Sequence, residues 1–362
     1  MVAKFKTLGS ILKFSEQSVL KNIRRLEMIR YSTKPISAIL FLSLFALPFL
    51  LNSTLADDSW EPGRTINDQP DLQGVWANNA ITPVERPAMF DEREYLTGEE
   101  MQFLERRMSE ITASGGDALF GESVLDAVFS GDVSSRDTQT GNYDQQWMVE
   151  RTLDNRTSQI IDPSDGRFPA RTVAAAAHDR ELAGYRAEHP ADSWLDRSLS
   201  ERCVHRGVPN LRPGYNSYWQ IVQSDNYVTI IQEMFHDVRV IPLTTMPNLH
   251  EDIRLWNGSS RGYWEGNTLV IDTQNINEKS DPGLDTQARV YQERLTRVSE
   301  TELQYDFIVH DPGTFTDDYT RRLIFGYSED KIYEYACHEG NYGMMNILSG
   351  HRIEEARLAD ND

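Results

Sequence analysis

Between residues 302 and 310 every second side chain is apolar: Leu303, Tyr305, Phe307 and Val309 interleave with Glu302, Gln304, Asp306 and Ile308. A period of two sends the two sets to opposite faces of an extended chain, so one face is buried and the other is wet. Similar short segments recur after residue 216, and turn-forming trios separate them. Ser224-Asp225-Asn226 divides 218–223 from 227–233, and Glu265-Gly266-Asn267 divides 261–264 from 268–273. Ser299-Glu300-Thr301 divides 289–298 from 302–310, and Ser328-Glu329-Asp330 divides 320–327 from 332–336. Such spacing is that of consecutive hairpins. A further strand, 236–241, ends at Pro242. About nine strands in series leave two bare edges unless the sheet closes or folds over. The predicted fold is therefore mainly β, an antiparallel meander closed as a barrel or folded as a sandwich.

Helical periodicity is confined to the periphery. Thr97 and Glu100 form a capping box ahead of Met101, Leu104, Met108 and Ile111, which predicts an amphipathic helix over 97–111. A second helix is predicted over 170–188, closed by His189-Pro190, and a third over 344–358. Residues 115–141, rich in Gly, Ser and Asp, read as an irregular excursion, and 145–150 and 157–161 as short strands.

The first 56 residues read as a leader. Arg30 and Lys34 precede an apolar run over 36–51, and Thr54-Leu55-Ala56 is a small-x-small cleavage site. The run is short for a membrane span and carries Pro48 near its end. Residues 57–362 are then one barrel-like domain with helical insertions near 97–111 and 170–188, periplasmic or secreted, and free of the membrane once cleaved. Losing 1–56, with eight Lys/Arg and two Asp/Glu, takes the formal charge from −20 to −26. Such acidity excludes nucleic acid as the main partner, because phosphate binding rests on cationic neutralisation. The two cysteines, Cys203 and Cys337, form a disulfide in an oxidising compartment, the alternative being two buried thiols.

Several strings carry a resemblance. Tyr335-Ala336-Cys337-His338-Glu339-Gly340-Asn341-Tyr342 with Asn346-Ile347-Leu348 resembles the C-terminal signature of a family of exported, uncharacterised bacterial proteins. Glu201-Arg202-Cys203, Glu233-Met234-Phe235-His236-Asp237 with Arg239, and Arg261-Gly262-Tyr263-Trp264-Glu265-Gly266-Asn267 match its other marks. The resemblance implies export and a shared fold over most of 70–356, and no activity. The entry Gly74-Val75-Trp76 is similar to the opening of lipocalin-type barrels, where Trp plugs the base, so the expected barrel is calycin-like.

Two constellations suit acid–base chemistry. His236 and Asp237 are strand neighbours, so only one points inward: His236 with Val238 and Val240, or Asp237 with Arg239. His338 and Glu339, with Asn341 and Tyr342, follow the predicted strand 332–336, and loops at strand ends carry reactive groups. Expected catalytic residues are therefore His236, Asp237, His338 and Glu339. Expected ligand-binding residues are Arg239 and Arg261, which grip anions bidentately, with Tyr263, Trp264, Asn341 and Tyr342. A zinc site from Cys203, His205, Cys337 and His338 has no familiar spacing and competes with the disulfide, and residues 311–318 are only a weak calcium loop, so no metal or cofactor is expected. These features predict an exported small-molecule-binding barrel, leaning to a cofactor-free lyase, dehydratase or isomerase. The alternatives are a non-catalytic carrier of an apolar or anionic metabolite, or an envelope protein-interaction module.

Overall fold

The computed structural model describes residues 60–114, 128, 151–244, 246, 247, 249–280 and 288–360. The leader and the strand expected over 145–150 lie outside them. The strands are β1 (Gly74–Ala77), β2 (Ile160–Asp162), β3 (Tyr218–Gln223), β4 (Tyr227–Gln232), β5 (Asp237–Pro242), β6 (Ser259–Glu265), β7 (Thr268–Gln274), β8 (Val290–Arg297), β9 (Glu302–His310) and β10 (Tyr319–Ser328). The helices are α1 (Gly98–Ser114), α2 (Val173–Glu188) and α3 (Tyr342–Ala359). None is long and apolar enough to cross a membrane among the described residues.

Nine strands follow one antiparallel path, β5-β4-β3-β1-β10-β9-β8-β7-β6, and β2 pairs with the start of β10. The path nearly closes into a barrel, consistent with a calycin-like fold. Leu243, just past β5, bridges to Gly262 of β6. A Cβ on Gly262 would lie 2.9 Å from Leu243 Cδ2 and 3.0 Å from Ile241 Cγ2, so only glycine lets the two edges meet. The alternation in β9 works as its sequence dictates: Leu303, Tyr305, Phe307 and Val309 are buried in the core. Aromatic rings meet across the interior, with Trp219 edge-on to Tyr305 at 5.3 Å and to Phe325 at 5.0 Å.

One end of the barrel is covered. Trp76 is fully buried there, donates Nε1–H to Leu72 O at 2.9 Å, and has the Arg297 guanidinium 5.3 Å from its ring centre. The preceding segment crosses this end and ties down hairpin turns: Arg64 donates to Asn267 (2.8 Å) and Asn67 to Asp225 (2.6 Å). The β4–β5 turn lies at the opposite end, because successive hairpin turns alternate between the two. The long β5–β6 connection leaves β5 at the covered end and returns to the opposite one, so Leu243 meets Gly262 in parallel and Asn257 reaches Asp237.

The helices form where capping and periodicity place them. Thr97 and Glu100 exchange bonds at 2.8 and 3.2 Å as a capping box on α1, whose Leu104 and Ile111 pack with Ile81 and Val128 in a satellite core. Thr172 caps α2, so this helix starts later than its alanine-rich composition predicts. The segment 332–336 is irregular rather than a strand. Its backbone turns away from the sheet to bond side chains at the uncovered end, described next.

Candidate functional site

Gln232 ends β4 and Asp237 begins β5, and the chain between them folds through an unfavourable backbone. Phe235 (φ 60°) and His236 (φ 52°) are consecutive non-glycine residues in the left-handed region. Each costs of order 1 kcal/mol or more, and such conformations persist only where the surroundings fix them. Here the C-terminal segment does so. Tyr333 N–H donates to Glu233 Oε1 at 3.1 Å, and the Tyr335 ring packs edge-on against Phe235 at 5.3 Å. The Cys203–Cys337 disulfide, with Cα atoms 5.6 Å apart, fastens the same segment beside residue 205. Asn341 caps α3 and donates to Glu201 O at 3.0 Å. Strings separated by more than a hundred residues thus converge on one turn.

Two carboxyl groups bracket that turn. Glu233 is buried, and burial raises its pKa despite the bond from Tyr333. Burial would raise Asp237 as well. Hydrogen bonds from His205 and Asn257, with the charge of Arg239, outweigh it and hold Asp237 below its ordinary range. Asn257 Nδ2 lies 2.6 Å from Asp237 Oδ1, and His205 Nδ1 lies 3.3 Å from Oδ2. The His205 ring is only 4 % exposed and its Nε2 is buried without a hydrogen-bond partner. An imidazole whose Nδ1 faces a carboxylate is held in one orientation, and here it fixes Asp237 in turn. Trp256 stands 6.4 Å from the ring.

Arg206 adds positive charge beside the turn. Its Nη1 contacts Met234 Sδ at 3.8 Å, and burial followed by the nearby Arg212 lowers its pKa. Neither arginine has a carboxylate partner among the described residues, in a chain with 56 Asp and Glu.

The residues singled out in the sequence divide between the two sides of the barrel wall. Asp237 and Arg239 are the inward pair, whereas Val238 and Val240 are exposed, so β5 takes the second of its two possible orientations. His236 precedes the strand and is exposed on the turn. Arg239 is committed to the fold. It pairs with Glu293 (2.9 and 2.5 Å) and reaches Ser260 and Thr273, while Tyr305 donates its hydroxyl to Glu293 at 2.8 Å. Arg261 and Tyr263 occupy the outer face of β6, where Arg261 donates to Ser260 O and Pro247 O, and Trp264 packs inward. His338, Glu339 and Tyr342 are exposed. Glu233, His205, Asn257, Arg206 and Arg212 complete the site. Glu233 and His205 stood inside strings already singled out, but nothing in their spacing marked the first as buried or the second as facing Asp237.

No family model, curated protein or solved structure matches the chain.

Proposed function

We propose that this protein is an exported barrel, periplasmic or secreted, that binds a small anionic molecule at its uncovered end and moves a proton on it without a cofactor, as an elimination, hydration or isomerisation requires. The observation that carries this reading is the β4–β5 turn. A strained pair of residues separates a carboxyl that holds its proton more tightly than usual from one that releases it more readily. Groups whose environments push their proton affinities apart are suited to acid and base roles in one reaction. Asp237, held ionised by the hydrogen bonds from His205 and Asn257, serves as the base, and Glu233 as the acid. Arg206 and Arg212 hold the anionic group, since guanidinium matches carboxylate geometry. The packed interior favours a site at the end of the barrel over a deep cavity for an apolar cargo.

The test is hydrogen exchange. The protein is incubated in D2O with a panel of small 2-hydroxy and 2-keto carboxylates, and loss of C–H signal is followed by proton NMR. The expected outcome is exchange or conversion of at least one compound, reduced by at least about 100-fold in Asp237→Asn and in Glu233→Gln. Full activity in both variants would remove these residues from the reaction. Stabilisation of the fold by a panel member with no exchange would make the protein a carrier.

A further inference from the structure

Far from the β4–β5 turn in sequence, α3 meets the loop after α2 through a second group of ionisable side chains. His351 and Glu355 lie one helical turn apart on α3, and Asp192 faces them from the loop. One nitrogen, His351 Nε2, lies 3.4 Å from Asp192 Oδ1 and 3.4 Å from Glu355 Oε1. Both separations exceed the usual 2.7–3.2 Å range for an N–H···O bond. A ring nitrogen also carries at most one proton and cannot donate well to two carboxylates at once. A shared cation resolves the arrangement. Ligands at about 2.1 Å from a tetrahedral metal stand about 3.4 Å from one another, the separation seen on both edges.

The surroundings are built to hold these donors. Asp192 Oδ2 accepts from His189 Nδ1 at 2.7 Å, the outer-shell partner that orients a ligating carboxylate and leaves Oδ1 free. Arg352 donates to the backbone carbonyls of Asp192 (2.7 Å) and Ala191 (3.2 Å), fixing the loop to the helix. Arg352 also pairs with Glu355, which leaves one lone pair of Oε1 for a metal and moderates the affinity. Moreover, α3 buries none of its residues fully, so its position depends on polar and covalent ties.

We propose that Asp192, His351 and Glu355 bind one divalent transition ion of the zinc class, with water in the fourth position, and that this ion clamps α3 to the body of the protein. One imidazole with two carboxylates favours zinc, cobalt or nickel over magnesium and calcium, which take oxygen donors alone.

The experiment uses the full chain, stripped with a chelator, and titrates it with Zn2+, Mg2+ or Ca2+ by calorimetry. Co2+ serves as a spectroscopic probe. Expected results are about one equivalent of Zn2+, a raised Tm, no response to Mg2+ or Ca2+, and a tetrahedral Co2+ absorption band. His351→Ala and Asp192→Asn should each weaken Zn2+ binding at least tenfold and abolish that band, while the metal-free variants melt as the metal-free wild type does. No Zn2+ binding, Zn2+ binding that both variants leave intact, or equal responses to Ca2+ and Zn2+ would each overturn the proposal and leave the cluster a surface ion-pair network.

Discussion

Glu233 illustrates how a single buried carboxyl shapes both stability and chemistry. Its raised pKa means that the folded state disfavours the ionised form. Relative to an unfolded glutamate near pKa ~4.3, stability is fully present below that pH and is lost as pH rises through the raised folded value. Glu233→Gln keeps the acceptor for Tyr333 N–H but cannot ionise. The variant should therefore equal the wild type in Tm at low pH and exceed it at neutral pH, while proton transfer falls. A variant less stable than wild type at both pH values would show that the carboxylate is held favourably. The string Glu233-Met234-Phe235-His236-Asp237 does not reveal the state of its first residue, because burial here depends on Tyr333, a hundred residues away. The same limit holds for His205. Its partner Asp237 is a non-local contact that spacing does not encode.

At the level of the element, β5 decides what the barrel interior contains. Asp237 and Arg239 point inward, so Arg239 crosses the seam between β5 and β6 to reach Glu293 on β8. Both side chains are almost wholly buried, and the Tyr305 hydroxyl, Ser260 and Thr273 complete the network. Breaking one partner of such a pair leaves an uncompensated charge, so Arg239→Ala should cost about 3–5 kcal/mol in urea unfolding. Replacing both members, as Arg239→Met with Glu293→Leu, should cost less than the single change. Equal or additive losses would mean that the two charges act independently. The strand itself was legible from its period of two, and so were the hairpins around it. Which of its faces turned inward was not, since Val238 and Val240 are as apolar as any core pair and yet are exposed. The segment 332–336 is irregular although its pattern suits a strand. Tyr333 and Tyr335 alternate with Glu334 and Ala336 as in a strand, but this segment bonds to Glu233 and packs against Phe235 instead of joining a sheet edge.

Across the whole molecule the Cys203–Cys337 disulfide joins the approach to the meander with the segment that follows its last strand, over 134 residues. The chain-entropy argument gives about 5 kcal/mol as the upper bound for closing so long a loop. Replacing both cysteines by serine should lower stability by up to that amount and raise hydrogen exchange at residues 203–206 and 333–341 before the barrel strands. Unchanged exchange in those segments would show that packing alone holds them. The cross-link was legible in the even cysteine count. Its consequence, that it steadies the two segments against which the β4–β5 turn is built, needed the fold.

The most direct test of the acid–base reading needs no substrate. Carbon-13 NMR titration of side-chain carboxyls, assigned with Glu233→Gln and Asp237→Asn, measures the two groups in one sample. The expected result is Glu233 titrating above the ordinary glutamate range and Asp237 below the ordinary aspartate range. If both carboxyls titrate together within their ordinary ranges, the β4–β5 turn holds no acid–base pair.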